Sequence, residues 1–330
     1  MDVITVAVLD DYQGLAREYA DWASLEPGVE VEFFREPISP DALAVTLAEF
    51  DVLVLMRERT AFPRSVLEAL PNLRLLVTTG MRNASVDVAY LRQRGVTVCG
   101  TGGTGGAGAP GVPSTAEVAW ALILAVCKRV TIEDRAIRGG HWQLGLPVNL
   151  AGATLALAGL GNLGAAMIGP AHAFGMDVMA WSQNLTEERA AAVGVRRVSK
   201  AELLSGADVL SIHLVLSDRT FGLFQAADLA LMKSTAIVIN TSRGPIIDQS
   251  ALIDALRRRT IAGAGLDVYD QEPLPAGHEL TALDNVVLLP HLGYVSEPGL
   301  RNMYRHAVED IAAFLAGAPI RTVSWAQGHG

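Results

Sequence analysis

The sequence predicts an α/β fold made of two doubly wound domains, each with a parallel sheet covered by helices. Two observations support this prediction. Short apolar runs alternate with helical stretches along the 330 residues, which is the pattern of parallel sheets. In addition, the stretch TLALAGLGNLG at residues 154–164 joins an apolar run to a helical pattern through three glycines, as the first turn of a dinucleotide-binding domain does. The length is that of about two domains.

The first hundred residues show the alternation expected of one α/β domain. Strands are predicted at 3–9, Val29 to Phe34, Val52 to Met56, Leu73 to Thr78 and Val96 to Cys99, and helices at Pro40 to Glu49, Pro63 to Leu70 and Val86 to Arg94. The next stretch, Gly100 to Gly111, holds seven glycines in twelve positions. No Lys-Ser/Thr pair follows it to open a helix, so a flexible connector is favoured over a phosphate loop.

A second domain is predicted after the connector. Ser114 to Glu117 have the spacing of a capping box, which would start a long apolar helix that ends near Arg129. A last helix is predicted after Ser296, with apolar side chains on one face, and it should return to the first domain. The elements predicted between them are strands at Asp177 to Trp181, Val209 to Leu214, Ala236 to Asn240, Gly263 to Val268 and Val286 to Leu289, and helices at Ala165 to Phe174, Ala201 to Leu204, Ala227 to Met232 and Gln249 to Arg258.

The turn GLGNLG has the glycines that a pyrophosphate site needs. Gly159 permits the sharp turn, Gly161 lets backbone approach the pyrophosphate, and Gly164 lets the helix pack close to the strand. The N–H groups around Asn162 and Leu163 would face the phosphates, where the helix dipole favours negative charge. A purely structural turn is the alternative, and the strand-turn-helix-strand context favours the dinucleotide site.

The composition excludes several classes of function. A net charge of −9 argues against a nucleic-acid partner or an anionic membrane surface. No uncharged apolar run approaches the length of a membrane span. Two cysteines, Cys99 and Cys127, are too few for a disulfide framework or a metal cluster. We therefore expect a cytoplasmic protein without a metal site.

Three residues that can carry chemistry follow predicted strands of the second domain. They are Arg243 in NTSRGPIID, Glu272 in LDVYDQEPLP and His291 in LLPHLGY. Each alone has a structural explanation, namely a surface ion pair, a solvated loop residue or a loop histidine. Together, at the ends of three strands of a dinucleotide-type sheet, they favour an active site.

The motifs GLGNLG, AFGMDVMAW, INTSRGPIID, IAGAGLDVYDQEPLP and LPHLGY together resemble the D-isomer-specific 2-hydroxyacid dehydrogenase family over essentially the whole chain. The resemblance implies a flavodoxin-like substrate domain of residues 1–107 and 296–330 and an inserted Rossmann NAD(P)-binding domain of residues 108–295. It also implies a homodimer and places Arg243, Glu272 and His291 at the positions of the catalytic triad.

The chemistry of these residue types agrees with the resemblance. Arg243 offers a planar fork of donors for the carboxylate or carbonyl of an α-keto acid. His291 can protonate the carbonyl oxygen as hydride arrives, and a carboxylate at Glu272 would stabilise the protonated ring. The sequence therefore predicts hydride transfer between NAD(P)H and a 2-keto acid or D-2-hydroxy acid.

The resemblance also implies contacts outside the triad. Substrate contacts are expected from the backbone of Gly80, Met81 and Arg82 and from Arg57, which could equally be a loop charge. Cofactor contacts are expected, besides the glycine turn, from Thr115, His213, Thr241, Ser242 and Asp267. Strand-end packing and turn capping are the alternative roles for this second set.

Two features depart from the family pattern. An NAD-selective site would place Asp or Glu about 20 residues after the glycine turn, where this chain has Ser182, Gln183 and Asn184. Without a carboxylate there, a 2′-phosphate is tolerated, although the turn has no Arg to bind it, so NADP is slightly favoured over NAD. The glycine connector is also longer than the resemblance leads us to expect.

Two other functions are compatible with the fold. One is an NAD(H)-sensing corepressor-like binding protein without turnover, which the short tails disfavour. The other is formate oxidation, in which relatives pair the histidine with Gln; Glu272 argues against it. The keto acid itself, whether glyoxylate, hydroxypyruvate or a bulkier one, depends on loops at Met56 to Arg59 and Met81 to Ala84.

Overall fold

A computed structural model describes residues 3–25, 27–102 and 113–323 of the chain. These residues divide into two compact units, unit 1 with residues up to 102 and from 295 onward, and unit 2 with residues 113–294. Most of the predicted glycine connector and the predicted boundary at 107/108 lie outside the described residues. The predicted boundary at 295/296 is adjacent to the observed division between Tyr294 and Val295.

Unit 1 contains a five-stranded parallel sheet in the order β2-β1-β3-β4-β5. This is the strand order of flavodoxin-like sheets, as predicted. The strands are β1 (Ile4–Val8), β2 (Val29–Phe33), β3 (Val52–Leu55), β4 (Leu75–Thr78) and β5 (Thr97–Gly100). The α-helices are α1 (Ala16–Tyr19), α2 (Pro40–Leu47), α3 (Arg64–Glu68), α4 (Val88–Gln93) and α13 (Glu297–Leu315), and Trp22–Leu25 form a 3-10 turn.

The core of unit 1 lies on its sheet. Every residue of β3 and β4 is buried, which is typical of parallel strands covered on both faces. Leu53 and Leu55 pack in one cluster with Leu47 of α2 and Leu67 of α3. The C-terminal helix α13 begins after Ser296, whose hydroxyl accepts from the N–H of Gly299, and packs against α1 and β4. This confirms the predicted return of the last helix.

Unit 2 contains a seven-stranded parallel sheet in the order β12-β11-β10-β9-β6-β7-β8. The strands are β6 (Thr154–Ala158), β7 (Asp177–Trp181), β8 (Arg196–Arg197), β9 (Val209–Ile212), β10 (Ile237–Asn240), β11 (Gly263–Leu266) and β12 (Val286–Leu288). The α-helices are α5 (Ser114–Cys127), α6 (Val130–Arg138), α7 (Asn162–Ala166), α8 (Ile168–Ala173), α9 (Glu187–Ala191), α10 (Lys200–Gly206), α11 (Ala226–Leu229) and α12 (Gln249–Arg257), with 3-10 turns at Gly244–Ile246 and Glu279–Ala282.

Both faces of the seven-stranded sheet are covered. Leu155 and Leu157 of β6 pack in one apolar cluster with side chains of α5 and α8. Ala156 and Ala158 of the same strand pack in a second cluster with side chains of α10 and α12. Successive side chains of a strand point to opposite faces, so the two clusters are the two faces of a doubly wound sheet. The predicted fold class is confirmed.

The predicted capping box at Ser114 is wrong. Pro113 occupies the cap position, Ser114 is already helical, and no side chain caps the helix. The helix also ends earlier than predicted, at Cys127, because Arg129 takes a left-handed conformation with φ 57° before α6 begins. The helix predicted from Ala165 to Phe174 is divided into α7 and α8 at Met167. Helices α6 and α9 and strand β8 were not predicted.

The described ranges have neither a membrane-spanning helix nor a cluster of metal ligands. No helix in residues 3–25, 27–102 and 113–323 is both long and apolar enough to cross a membrane. Within the same ranges, no group of three or more His, Cys, Asp or Glu side chains is placed to hold a metal ion.

Candidate active site at the carboxyl edge of unit 2

The predicted catalytic residues follow three adjacent strands of the unit 2 sheet. His291 follows β12, Glu272 follows β11 and Arg243 follows β10. Because these strands are parallel, the segments after them lie along one edge. The glycine turn after β6 lies on the same edge, beyond β9.

His291 and Glu272 are in direct contact. Nδ1 of His291 lies 2.6 Å from Oε2 of Glu272, and both side chains are largely buried, with 18% and 25% of their surfaces exposed. The backbone of His291 is left-handed, with φ 55°, a conformation that is uncommon outside glycine. The imidazole is therefore held by a charge-assisted bond on a backbone that surrounding contacts must stabilise.

The loop that carries His291 is fixed by two residues predicted to contact the cofactor. The carboxylate of Asp267 accepts from the N–H of Leu292 at 2.7 Å and from that of Gly293 at 2.8 Å. The hydroxyl of Thr115 donates to the carbonyl of Gly293 at 2.7 Å. Burial raises the pKa of Asp267, and the two backbone bonds oppose that shift. Asp267 and Thr115 therefore stabilise the loop that carries His291. The contacts of both residues with the cofactor stay predictions.

Arg243 lies in a tightly packed loop. Its guanidinium Nη1 donates to the Ser242 carbonyl at 2.7 Å, and the Asn240 amide donates to the Arg243 carbonyl at 2.9 Å. The Ser242 hydroxyl donates to the Ile212 carbonyl, so it joins the ends of β10 and β9. A Cβ on Gly244 would overlap the backbone carbonyl of Tyr269. Sequence reasoning missed this close approach, for which the Gly after Arg243 was the available signal.

The glycine turn fits a dinucleotide. Gly159 has φ 103°, and a Cβ there would lie 2.5 Å from the His213 carbonyl oxygen. A Cβ on Gly164 would overlap the carbonyl of Gly159, whereas one on Gly161 would meet nothing within 4 Å. Helix α7 begins at Asn162, so its free N–H groups lie beside the open space at Gly161. Two glycines thus close the turn, and the third leaves room for a pyrophosphate.

Two buried polar atoms on this edge have no hydrogen-bond partner within the described residues. They are Nδ1 of His213 and Oγ1 of Thr241, both predicted to face the cofactor. The other ring nitrogen of His213 lies 2.9 Å from the Ser211 hydroxyl, and burial lowers the pKa of His213 to about 4. A bound nicotinamide dinucleotide could supply hydrogen-bond partners to this ring nitrogen and this hydroxyl, which have none among the described residues.

The residues predicted to select the cofactor lie just after β7. Ser182 is half-buried, and Gln183 and Asn184 are exposed. The Gln183 amide contacts the carbonyl of Arg219 at 3.5 Å, which places an exposed arginine of another loop beside this turn. The turn itself has no Arg, as the sequence indicates. Arg219 comes from the segment after β9, and only the fold brings it near.

The predicted substrate residues lie in unit 1, after β3 and β4. Arg57 has φ 54°, its N–H donates to the Thr79 hydroxyl at 2.7 Å, and its carbonyl accepts from the Asn83 amide. A Cβ on Gly80, which has φ 96°, would overlap the Arg57 guanidinium. Met81 and Arg82 are exposed. The guanidinium of Arg57 therefore lies against Gly80. The substrate contacts of both residues stay predictions.

Comparison with known proteins identifies the relatives of this chain. Residues 120–293 match the family model described as D-isomer specific 2-hydroxyacid dehydrogenase, NAD binding domain. A glyoxylate reductase of Korarchaeum cryptofilum is 33% identical over 303 residues, 89% of each chain. A glyoxylate reductase of Aeropyrum pernix is 38% identical over 261 residues, 76% of each chain. A crystal structure of a phosphoglycerate oxidoreductase from Vibrio cholerae O395 superposes with a TM-score of 0.88 at 34% identity, covering 96% of this chain and 100% of the other.

Proposed function

Because the chain belongs to the D-isomer specific 2-hydroxyacid dehydrogenase family, we propose that it is a reductase of a small 2-keto acid such as glyoxylate and prefers NADPH. Family membership establishes the general activity, which is hydride transfer between a nicotinamide cofactor and a 2-keto or D-2-hydroxy acid. The observation that carries the mechanism is the 2.6 Å contact between His291 and Glu272 on the edge where the NAD-binding turn lies.

In the proposed mechanism each residue of the trio has a separate task. The glycine turn at 159–164 would hold a nicotinamide dinucleotide, whose chemistry when bound and reduced would be hydride donation. Arg243 holds the carboxylate or carbonyl of the keto acid with its planar donors. His291 delivers a proton from Nε2 to the carbonyl oxygen, while Glu272 accepts from Nδ1 and stabilises the charged ring. The proton transfer neutralises the alkoxide as it forms.

A small keto acid is supported by the relatives named glyoxylate reductase and by the unit 1 loops. The guanidinium of Arg57 lies against Gly80, and its donors could bind the carboxylate of a small keto acid. Initial rates with glyoxylate, hydroxypyruvate, pyruvate and phosphohydroxypyruvate, each with NADPH and NADH, test the assignment. The highest kcat/KM is expected for glyoxylate or hydroxypyruvate. A protein that binds the cofactor and reduces none of the panel would contradict the proposal.

The preference for NADPH is supported by the exposed amides of Gln183 and Asn184 and by the neighbouring Arg219. No carboxylate at 182–184 repels a 2′-phosphate, and an arginine can bind one. Gln183→Asp should therefore lower kcat/KM for NADPH about tenfold or more and leave NADH unimpaired. Gln93→Asp, at an exposed site of unit 1, is the matched control. A wild-type preference for NADH would overturn this part.

A homodimer is supported by an apolar surface on unit 2. Trp142 and Leu146 are 74% and 92% exposed, and Ile137, Leu144 and Val148 in the same stretch of chain are also exposed. Such a patch is typical of an interface between subunits. Light scattering should give the mass of a dimer for the wild type and of a monomer for Trp142→Ser combined with Leu146→Ser. Val45→Ser, which alters an exposed apolar residue of unit 1, should remain dimeric.

A further inference from the structure

The segment from Asp267 to Glu272 contacts the His291 loop at three points. Glu272 binds the imidazole, and Asp267 binds the N–H groups of Leu292 and Gly293. Tyr269 supplies the third point, because its hydroxyl donates to the carbonyl of Leu289 at 2.8 Å. The loop is therefore held on both sides of His291 as well as at its ring.

Tyr269 also contacts Glu272, the partner of His291. Its backbone N–H donates to Oε1 of Glu272 at 2.9 Å, while Oε2 of the same carboxylate contacts His291. The hydroxyl lies 3.2 Å from the Leu266 carbonyl, at the end of β11. One residue thus bonds to the carboxylate through its backbone and to the His291 loop through its side chain.

The position of the hydroxyl has a physical reason. Tyr269 is only 6% exposed, and its ring packs in the apolar core of unit 2. A buried hydroxyl is tolerated when it is hydrogen-bonded, and here the bonded atom is the carbonyl two residues before His291. The left-handed backbone of His291 is a strained state that persists only where neighbouring contacts fix it.

We propose that Tyr269 is a positioning residue, whose hydroxyl sets the place of the His291 loop so that the imidazole meets the Glu272 carboxylate. The proposal rests on the catalytic roles of His291 and Glu272 in the proposed function. In this proposal Tyr269 acts through His291 and Glu272, and it contacts neither the substrate nor the cofactor. A phenylalanine keeps the ring and lacks only the hydroxyl, which contacts the carbonyls of Leu289 and Leu266.

Tyr269→Phe is the direct test. Without the bond to Leu289, kcat is expected to fall about tenfold, the effect of one hydrogen bond, with KM for the keto acid within about twofold. The effect should be absent when Glu272→Gln is already present, because the two changes act on one contact. The matched control is Tyr304→Phe, another buried tyrosine, in unit 1, whose kcat should equal that of the wild type.

A second readout does not depend on turnover. The ring nitrogen signals of His291, followed by NMR with labelled histidine, should move in Tyr269→Phe towards their positions in Glu272→Gln and stay in place in Tyr304→Phe. Wild-type positions of these signals in Tyr269→Phe would overturn the proposal, whatever its kcat. Absence of keto acid reduction by the wild type would instead overturn the proposed function, and the ring signals would still decide the role of Tyr269.

Discussion

The carboxyl edges of the two sheets hold their candidate residues in different ways. In unit 2, side chains bind one another and the loop, as Glu272 binds His291 and Asp267 binds the N–H groups of Leu292 and Gly293. In unit 1, the backbone of Arg57 binds the side chains of Thr79 and Asn83, and its guanidinium lies against Gly80 and the Thr79 carbonyl. Both edges nevertheless place a residue other than glycine in the left-handed region.

This difference indicates that the edge of unit 2 serves proton transfer and the edge of unit 1 serves substrate binding. A proton-transferring imidazole needs one orientation, which the bonds in unit 2 fix before a substrate arrives. The cationic side chain of Arg57, which lies over Gly80, would bind the substrate and the transition state about equally well, so it would lower KM without raising kcat. Changes at the edge of unit 2 should therefore lower kcat, and changes at the edge of unit 1 should raise KM.

The largest effect is expected at His291. His291→Gln removes the proton donor while keeping a polar side chain of similar size, and kcat should fall by roughly 10³-fold. Cofactor affinity, measured by quenching of protein fluorescence, should stay within about twofold, because His291 acts in the chemical step. The control is His172→Gln, at an exposed position of α8. A loss of kcat smaller than tenfold would contradict the assignment of the chemical step to the edge of unit 2.

The glycine turn allows a comparison within unit 2. Gly161→Ala adds a Cβ into open space, so the protein should keep its thermal stability and lose cofactor affinity by about tenfold. Gly164→Ala drives a Cβ into the Gly159 carbonyl, so its unfolding temperature should drop. Thermal unfolding and cofactor titration of both variants measure these effects. Unchanged affinity in Gly161→Ala would show that the pyrophosphate does not approach this position.

The strand ends of both sheets could be predicted from the sequence because local residue patterns mark them. Strand β7 has the predicted bounds, since its apolar run is followed directly by polar residues. The triad candidates were identifiable because parallel strands end on one edge, so residues just after successive strands become neighbours. The fold class and the order of the catalytic residues follow from this kind of information.

Features that depend on distant contacts were not predictable. At the end of helix α5 a returning segment binds the chain, where the Val148 N–H donates to the Cys127 carbonyl and the Lys128 ammonium donates to the Val148 carbonyl. Nothing local marks Arg129 for a left-handed conformation. The approach of Arg219 to Gln183 and the packing of Gly244 on Tyr269 join loops from different strands in the same way.

A smaller effect is expected at Gly80 of unit 1, against which the Arg57 guanidinium lies. Gly80→Ala would combine a positive φ with displacement of the Arg57 guanidinium, so KM for the keto acid should rise about tenfold with kcat nearly unchanged. The control is Gly95→Ala, which has φ 74° and no neighbour within 4 Å of the added Cβ. Steady-state kinetics of both variants separate backbone strain from displacement of Arg57. Equal KM values would show that Arg57 does not shape the binding site.

The last comparison concerns stability and sets one buried acid of each unit side by side. Both oxygens of Asp267 in unit 2 accept backbone N–H bonds, whereas Oδ2 of Asp310 in unit 1 has no partner within the described residues. Burial raises the pKa of Asp310 to about 7, although Arg321 opposes the shift. The folded pKa exceeds the ordinary value of 3.8, so the stabilisation is full below about pH 4 and is lost as pH rises towards 7.

Asp310→Asn removes this titration. The free energy of unfolding of the wild type, relative to the variant, should fall as pH rises from 4.5 to 7, by at most about 1.4 kcal/mol per pH unit. Urea unfolding at several pH values measures the difference. Asp254→Asn, at an exposed position of α12, should give a flat difference over the same range. A flat difference for Asp310→Asn as well would mean that Arg321 compensates the buried charge, and that the two acids are held equally well.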